Sequence, residues 1–224
     1  TRIMIITIDG PASAGKGTLA STLAGIYHLA YFDTGMVYRA VGLDLRLKNQ
    51  DINDEALAEA SAKALTFAKM TELSKHREFR SSEGGVAASV VSAQPKVRAA
   101  LLKMQQDFAK NPSFADGSTA KGAIYDGRDT GTVVCPQADI KFFITASSEV
   151  RAKRRFKELQ EKGIDTPYEK VLADIVSRDE RDSQRSTAPL KAAPDAHIID
   201  TSNMDIDEVV AKAREIIENY KESA

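Results

Sequence analysis

Residues 10–18 have the composition and spacing of a phosphate-binding loop. They read GPASAGKGT, which fits the pattern G-x-x-x-x-G-K. Glycines let successive backbone N–H groups turn into one concavity that binds anions, and the lysine that follows adds a mobile cation. We expect Lys16 to reach the β- and γ-phosphates and the Thr18 hydroxyl to meet a phosphate oxygen. The segment therefore predicts a site for a nucleoside triphosphate that gives its terminal phosphoryl group to a small acceptor.

One position of this loop departs from the commonest pattern. The Ser or Thr that usually follows the lysine is Gly17 here, and the hydroxyl comes one residue later. This change weakens a direct protein ligand to Mg²⁺, so we expect the metal to be held mainly by phosphates and water. The alternative is a glycine turn that binds nothing, but such a turn would not need a lysine in register between a strand and a helix.

Arginines recur at helical spacing in the second half of the chain. One stripe has the spacing i, i+3, i+4 and i+7 and consists of Arg178, Arg181, Asp182 and Arg185. A second group stands near the start of the preceding helix and consists of Arg151, Arg154 and Arg155. The guanidinium group binds phosphate bidentately and keeps its charge, as an enzyme that joins two phosphorylated molecules requires. The alternative is a solvated face of ion pairs, such as Asp174–Arg178 and Arg178–Asp182, each worth about 0.3–0.5 kcal/mol.

Two polar clusters follow predicted strands. Asp33 and Thr34 precede Arg39, while Arg128 and Asp129 close the run DGRD. The carboxyl ends of parallel strands are where ligands gather, so we expect these side chains at a substrate site. The alternatives are a helix cap for the first cluster and a tight turn for the second.

The elements that must position these residues alternate along the chain. Short apolar runs predict strands over residues 3–9, 30–33, 123–126, 140–145 and 197–200. Helical patterns cover residues 16–29, 36–48, 54–69, 95–108, 148–162, 168–185 and 206–220, and residues 71–85 are expected to form a surface connection. This alternation predicts an α/β fold with a five-stranded parallel sheet.

Composition excludes several classes of protein. The formal net charge of −1 gives no overall attraction to nucleic acid or to an anionic membrane. No run approaches the roughly 18 apolar residues that span a bilayer, and the apolar start leads straight into the loop, which is not the pattern of a signal peptide. The single cysteine, Cys135, suits a reducing compartment, so we expect a cytoplasmic protein. His28, His76 and His197 have no ligand spacing for zinc.

Over nearly its full length the chain resembles bacterial cytidylate kinases. The matching segments are IDGPASAGKGT, FDTGMVYRAV, AASVVSAQPKVRAALL, DGRDTGTVV, ASSEVRAKRRFKELQEKG and SRDERDSQRSTAPL. The resemblance implies the P-loop nucleoside monophosphate kinase fold with a helical lid. It also implies phosphoryl transfer from ATP, with Mg²⁺, to CMP or dCMP.

The resemblance also implies roles for individual residues. ATP would be bound by Gly10, Pro11, Ala12, Ser13, Ala14, Gly15, Lys16, Gly17 and Thr18. CMP would be bound by Thr34, Arg39, Ser89, Arg98, Arg128, Asp129, Arg178, Asp182 and Arg185. The catalytic set would be Lys16, Arg128, Asp129, Arg154, Arg155 and Arg181. No residue is implied as a direct metal ligand.

The chain departs from the family in one region. Many members carry a small sheet-forming insert in the CMP-binding region, whereas residues 71–83 are too short for it, so a reduced insert is expected.

We expect one kinase domain over residues 1–224, with a loop core (1–35), acceptor-binding helices (36–110) and a lid (150–186), acting as a monomer.

Other functions remain as alternatives. A related kinase could prefer UMP or AMP as its acceptor, and a shikimate-type kinase would use an acceptor without cytosine. A GTP-dependent switch would need an Asn-Lys-x-Asp stretch, which the sequence lacks.

Overall fold

Five strands form one sheet in the computed structural model, which describes residues 2–224. They are β1 (Met4–Asp9), β2 (Ala30–Asp33), β3 (Gly122–Gly127), β4 (Ile140–Thr145) and β5 (His197–Asp200). Their order in the sheet is β2-β3-β1-β4-β5. The strand β1 pairs in parallel with β3 and β4, and β4 pairs in parallel with β5. The predicted α/β fold with a five-stranded parallel sheet is confirmed.

Helices connect these strands. They are α1 (Lys16–Tyr27), α2 (Gly35–Leu47), α3 (Glu55–Ala64), α4 (Phe67–Ser74), α5 (Ser82–Ser92), α6 (Pro95–Lys110), α7 (Ser148–Glu161), α8 (Tyr168–Gln184) and α9 (Ile206–Ser223). A π-helical turn, Thr130–Val134, follows β3. No helix among residues 2–224 has both the length and the apolar composition needed to cross a membrane.

The chain divides into two compact units. The first contains the chain up to Phe32 together with Phe108–Gln184 and Ala188–Ala224. The second contains Asp33–Asp107 and Arg185–Thr187. The predicted ranges 1–224 and 1–35 begin at a residue that lies outside the described part of the chain.

In the first unit, β1 and β4 pack against α1 and α9 in one apolar cluster. Ile6, Ile8, Leu19, Phe142 and Ile217 belong to this cluster and are almost wholly buried. Burying one such side chain contributes about 1.5–3 kcal/mol. The cluster therefore fixes the end of β1 and the start of α1, between which residues 10–15 must turn.

A smaller cluster holds α7 against α8 in the same unit. Ala152 and Leu159 of α7 meet Val171 and Ile175 of α8. Gly163, with φ of 71°, ends α7 in the left-handed region that glycine favours. The two helices are therefore joined by a short turn, as predicted.

In the second unit, α2 packs against α3, α4 and α5. Val37, Val41 and Leu45 recur one turn apart along α2 and are wholly buried. This apolar stripe orients α2, which carries Arg39 on another face.

Two predictions in this unit are wrong. Residues 54–69 form two helices, because Leu65 is extended (φ −69°, ψ 131°) and the Thr66 side chain caps α4 by accepting from Lys69 N. Residues 71–85 are not simply a surface connection, since Phe79 is wholly buried and Ser81 caps α5. A single buried aromatic side chain leaves no periodic signal in the sequence.

Candidate functional site

Residues 10–18, called the phosphate loop below, have the backbone geometry of an anion cradle. Gly10 (φ 155°), Ser13 (φ 59°) and Gly15 (φ 92°) all have positive φ. A Cβ at Gly10 would lie 2.0 Å from the Ile144 carbonyl oxygen, so only glycine fits there. No side chain of the described residues caps α1, and its first backbone N–H groups face the loop as anion donors. The backbone of the loop therefore has the turn that an anion-binding concavity needs.

Lys16 is a buried cation in this loop. Its Nζ donates to the Pro11 carbonyl oxygen at 2.8 Å, and 6% of the residue is exposed. Burial, together with the charges of Arg128 and Arg178, lowers the pKa of Lys16 to about 7. The carboxylates of Asp126 and Asp9 oppose that shift. The structure thus brings Lys16 within electrostatic range of both predicted arginines.

Asp126 lies beside the first turn of α1. Its Oδ2 accepts from the Tyr31 hydroxyl at 2.9 Å. A Cβ at Gly17 would be 3.4 Å from that oxygen and 3.6 Å from the Tyr31 hydroxyl. The position where other phosphate loops carry a Ser or Thr is therefore next to a carboxylate. No pattern in the sequence indicates the role of Tyr31.

Asp182 joins two of the predicted arginines. Arg128 Nε donates to its Oδ2 at 3.1 Å, and Arg178 Nε lies 3.9 Å from the same oxygen. Asp182 is buried, so its charge depends on these partners. The structure thus brings Arg128, which directly follows β3, together with Asp182 of α8. The Arg178–Asp182 ion pair of the alternative interpretation is also present. Asp174, the other carboxylate of that interpretation, forms an ion pair with Lys170, with 3.1 Å between Lys170 Nζ and Asp174 Oδ2.

The arginines of α7 contact protein acceptors. Arg151 is buried and binds Asp179 through two nitrogens, and it also donates to the Ala146 and Ala12 carbonyl oxygens at 2.9 and 3.2 Å. It therefore ties α7 and α8 to the phosphate loop. Asp179, which completes this contact, is a positioning residue that the sequence analysis missed.

The predicted catalytic residues Arg154 and Arg155 contact other groups. Arg154 donates to the Thr201 hydroxyl at 3.0 Å and to the Thr201 carbonyl oxygen at 2.6 Å. Arg155 contacts Glu158 at 3.0 Å. Arg181 is half-buried on α8. The structure therefore places Arg154 at the end of β5 rather than at the phosphate loop.

In the second unit, Arg39 and its neighbours follow β2. Arg39 donates to the Phe79 carbonyl oxygen at 2.8 Å. Asp33 Oδ1 accepts from Gly35 N at 3.0 Å, which is the capping role of the alternative interpretation. Thr34 is buried at the start of α2, and its side chain makes no capping hydrogen bond there.

Ser89 and Arg98 are linked through Ser92 in the second unit. The Ser92 hydroxyl donates to the Ser89 carbonyl oxygen at 3.0 Å, and Arg98 donates to the Ser92 carbonyl oxygen at 3.0 Å. Arg98 also lies 4.9 Å from the Tyr38 ring centroid, a cation–π distance. Both predicted residues are buried polar groups, and the structure places them close together.

Among residues 2–224, no group of three or more His, Cys, Asp or Glu side chains has the arrangement of a metal site. Asp126 is the carboxylate beside the phosphate loop's Gly17.

Comparison with known proteins identifies close relatives. A family profile described as "Cytidylate kinase" matches residues 6–219. A cytidylate kinase of Paramagnetospirillum magneticum is 51% identical over 95% of this chain and 97% of its own length. One of Xanthobacter autotrophicus is 50% identical over 96% of this chain and 97% of its own length. The crystal structure of an uncharacterized protein from Eubacterium ventriosum has a TM-score of 0.54 at 13% identity, covering 96% of this chain and 98% of that one, and shows the fold alone.

Proposed function

Because the chain belongs to the cytidylate kinase family and phosphorylates CMP and dCMP, we propose that ATP bound at the phosphate loop supplies the phosphoryl group. The observation that carries the proposal is the buried Lys16, whose pKa is lowered to about 7 among Arg128 and Arg178. Cations that repel one another in a buried setting are stabilised when an anion enters. A preference for UMP or AMP is not favoured, since the relatives reported are named for cytidylate.

In this proposal the donor triphosphate lies in the concavity of the phosphate loop. The backbone N–H groups of the loop and of the first turn of α1 bind its oxygens, and Lys16 exchanges the Pro11 carbonyl oxygen for the β- and γ-phosphates. When bound, Mg²⁺ neutralises charge on these oxygens. Asp126, beside Gly17, would accept a hydrogen bond from a water ligand of the ion. The residues present fit a metal held mostly by phosphate.

For the acceptor, we propose the residues that the family resemblance implies. Arg39 and Arg128 bind the phosphate of CMP, and Ser89 and Arg98 read the cytosine edge. The sugar is bound by Asp182 and Arg185, and the set is completed by Thr34, Asp129 and Arg178. The burial of Ser89 and Arg98 supports the second role, because buried polar groups give the strongest discrimination between ligands.

The transfer itself needs no general base. An oxygen of the CMP phosphate is already a nucleophile, so it forms the new bond to the γ-phosphorus while the bond to the β–γ bridging oxygen breaks and ADP leaves. The protein supplies alignment and charge neutralisation. Arg154, Arg155 and Arg181 are proposed to stabilise the moving group. Arg154 would then exchange Thr201 for phosphate oxygens.

We further propose that residues 1–224 act as one kinase domain and as a monomer in the cytoplasm. The sequence has a single cysteine, Cys135, which is free and buried, and a chain without an internal disulfide suits a reducing compartment. Residues 36–110 would bind the acceptor, and the lid would be residues 150–186.

A coupled assay of ADP release tests the proposal. The enzyme, ATP and Mg²⁺ are incubated with CMP, dCMP, UMP or AMP, and kcat/KM is measured for each acceptor. The highest value is expected with CMP or dCMP. A higher value with UMP or AMP would contradict the assignment of the acceptor site.

A further inference from the structure

Asp9 is the last residue of β1 and is only 4% exposed. Both oxygens of its carboxylate accept hydrogen bonds from one turn. Its Oδ1 accepts from Thr130 N at 2.9 Å and from the Thr130 hydroxyl at 2.6 Å. Its Oδ2 accepts from Gly131 N at 2.8 Å. Both oxygens of one side chain therefore bind two consecutive residues that are far away in sequence.

The turn that Asp9 holds directly follows Arg128 and Asp129. It is π-helical, with Cys135 N donating to the Thr130 carbonyl oxygen at 2.7 Å. π-Helical turns are rare and occur mostly as single turns. The backbone that directly follows Arg128 and Asp129 is held by the Asp9 carboxylate as well as by its own hydrogen bonds.

Gly131 allows the turn to approach β1 this closely. A Cβ at this residue would lie 2.8 Å from the Thr7 hydroxyl oxygen and 3.4 Å from Asp9 Oδ2. Any larger residue would push the turn away from the carboxylate. The contact is thus built into the packing of β1 against the turn.

The charge of Asp9 makes it costly to separate the carboxylate from the turn. Burial raises the pKa of Asp9 to about 6, the hydrogen bonds from Thr130 and Gly131 oppose that shift, and the charge of Asp129 adds to it. The Lys16 and Cys135 side chains also lie within electrostatic range. At neutral pH the carboxylate is ionised, so moving the turn away would leave a buried charge without donors.

We propose that Asp9 is a positioning residue for phosphoryl transfer, holding the Arg128–Asp129 segment in register with the phosphate loop that begins at Gly10. The inference rests on the proposed function, because it assigns the donor phosphates to that loop and the acceptor phosphate to Arg128. One carboxylate joins the strand that leads into the donor site to the turn that carries an acceptor residue. Small displacements of such groups lower the rate much more than they weaken binding of either nucleotide.

The test compares substitutions on both sides of the contact. Thr130→Val removes one hydrogen bond and keeps the shape, Thr130→Ser restores it, and Asp9→Asn places an amide opposite the Gly131 N–H. The matched control is Thr7→Val, a wholly buried neighbour whose hydroxyl has no hydrogen-bond partner among residues 2–224. For each protein kcat, KM for ATP, KM for CMP and the melting temperature are measured.

We expect Thr130→Val to lower kcat about tenfold and Asp9→Asn about 100-fold, with KM for ATP changed less than about twofold. Thr130→Ser and Thr7→Val should keep kcat within about twofold of the wild type. Unchanged kcat per folded molecule in Thr130→Val would overturn the inference, as would equal losses in the Val and Ser variants. If Asp9→Asn does not fold, the comparison of kcat between Thr130→Val and Thr130→Ser still tests the inference.

The same assay separates this inference from the proposed function. A wild-type enzyme that does not phosphorylate CMP would remove both. A wild type that is active on CMP, with a Thr130→Val variant indistinguishable from it, would remove only the role of Asp9.

Discussion

The phosphate loop and helix α7 each contain a buried basic residue, but the surroundings of the two cations differ. Lys16 is buried with a pKa lowered to about 7, and nearby arginines add to that shift. Arg151 of α7 is also buried, but Asp179 and two carbonyl oxygens surround its guanidinium group. The first cation is unstable until an anion arrives, whereas the second is already compensated. The difference teaches that burial and partners, rather than charge alone, separate residues for binding from residues for structure.

The largest expected effect comes from removing the loop cation. Lys16→Met should lower kcat/KM about 10³-fold, since one preorganised charge at developing phosphate charge contributes a few kcal/mol. The melting temperature should stay equal or rise, because the variant no longer buries a cation with a lowered pKa. Steady-state kinetics and thermal unfolding check both parts. A large drop in stability with activity retained would show that Lys16 is a structural residue rather than a binding residue.

Arg151 should behave in the opposite way. Arg151→Met leaves Asp179 without its bidentate partner and should lower the free energy of unfolding by about 3–5 kcal/mol. Urea denaturation measures this loss. Activity per folded molecule should fall less than in Lys16→Met. A variant as stable as the wild type would show that the α7 arginine is not structural.

Arg178 sharpens the comparison, because it is half-buried and shares Asp182 with Arg128. Arg178→Ala should lower kcat/KM for CMP about 100-fold and change the free energy of unfolding by less than about 1 kcal/mol. The control is Lys170→Ala on the same helix, which removes an exposed ion pair with Asp174 and should alter neither quantity. If Arg178→Ala loses several kcal/mol of stability at full activity, the arginine stripe is structural.

The sequence predicted more of the fold than of the contacts. Apolar runs revealed all the strands of the sheet, since a buried parallel strand leaves a local signal. The π-helical turn Thr130–Val134 gave no such signal, and the break at Leu65 depends on a cap that an alanine-rich pattern hides.

At the site, the loop motif was sufficient to find Lys16, and the spacing of the arginines and the ends of the strands indicated Arg128 and Arg178. The family resemblance then added residues such as Ser89 and Arg98. The pairs that hold them could not be predicted, because Arg151 and Asp179 are 28 residues apart, and Asp9 and Thr130 are 121 residues apart. Such contacts are set by the packing of strands and helices. The contacts of Arg154 could not be predicted for the same reason. Its hydrogen bonds to Thr201 depend on the position of the end of β5 beside α7.

The smallest expected effect is a dependence of stability on pH. The native pKa of Lys16 is lowered to about 7 from 10.5, so above pH 7 the unfolded chain binds more protons than the native protein. The contribution of Lys16 to stability should therefore rise between about pH 7 and 10. Urea denaturation of the wild type and Lys16→Met at pH 7 and pH 9 measures it. If the difference in free energy of unfolding between the two proteins is the same at pH 7 and pH 9, the lowered pKa of Lys16 is contradicted.

The most direct test of the account is the proton taken up when the donor binds. Calorimetry of a non-hydrolysable ATP analogue with Mg²⁺, run at pH 8 in two buffers of different ionisation enthalpy, gives this number. We predict uptake approaching one proton in the wild type, because the triphosphate restores the charge of Lys16, and none attributable to this residue in Lys16→Met. Equal uptake in the two proteins would show that Lys16 is not a cation held for the donor phosphates.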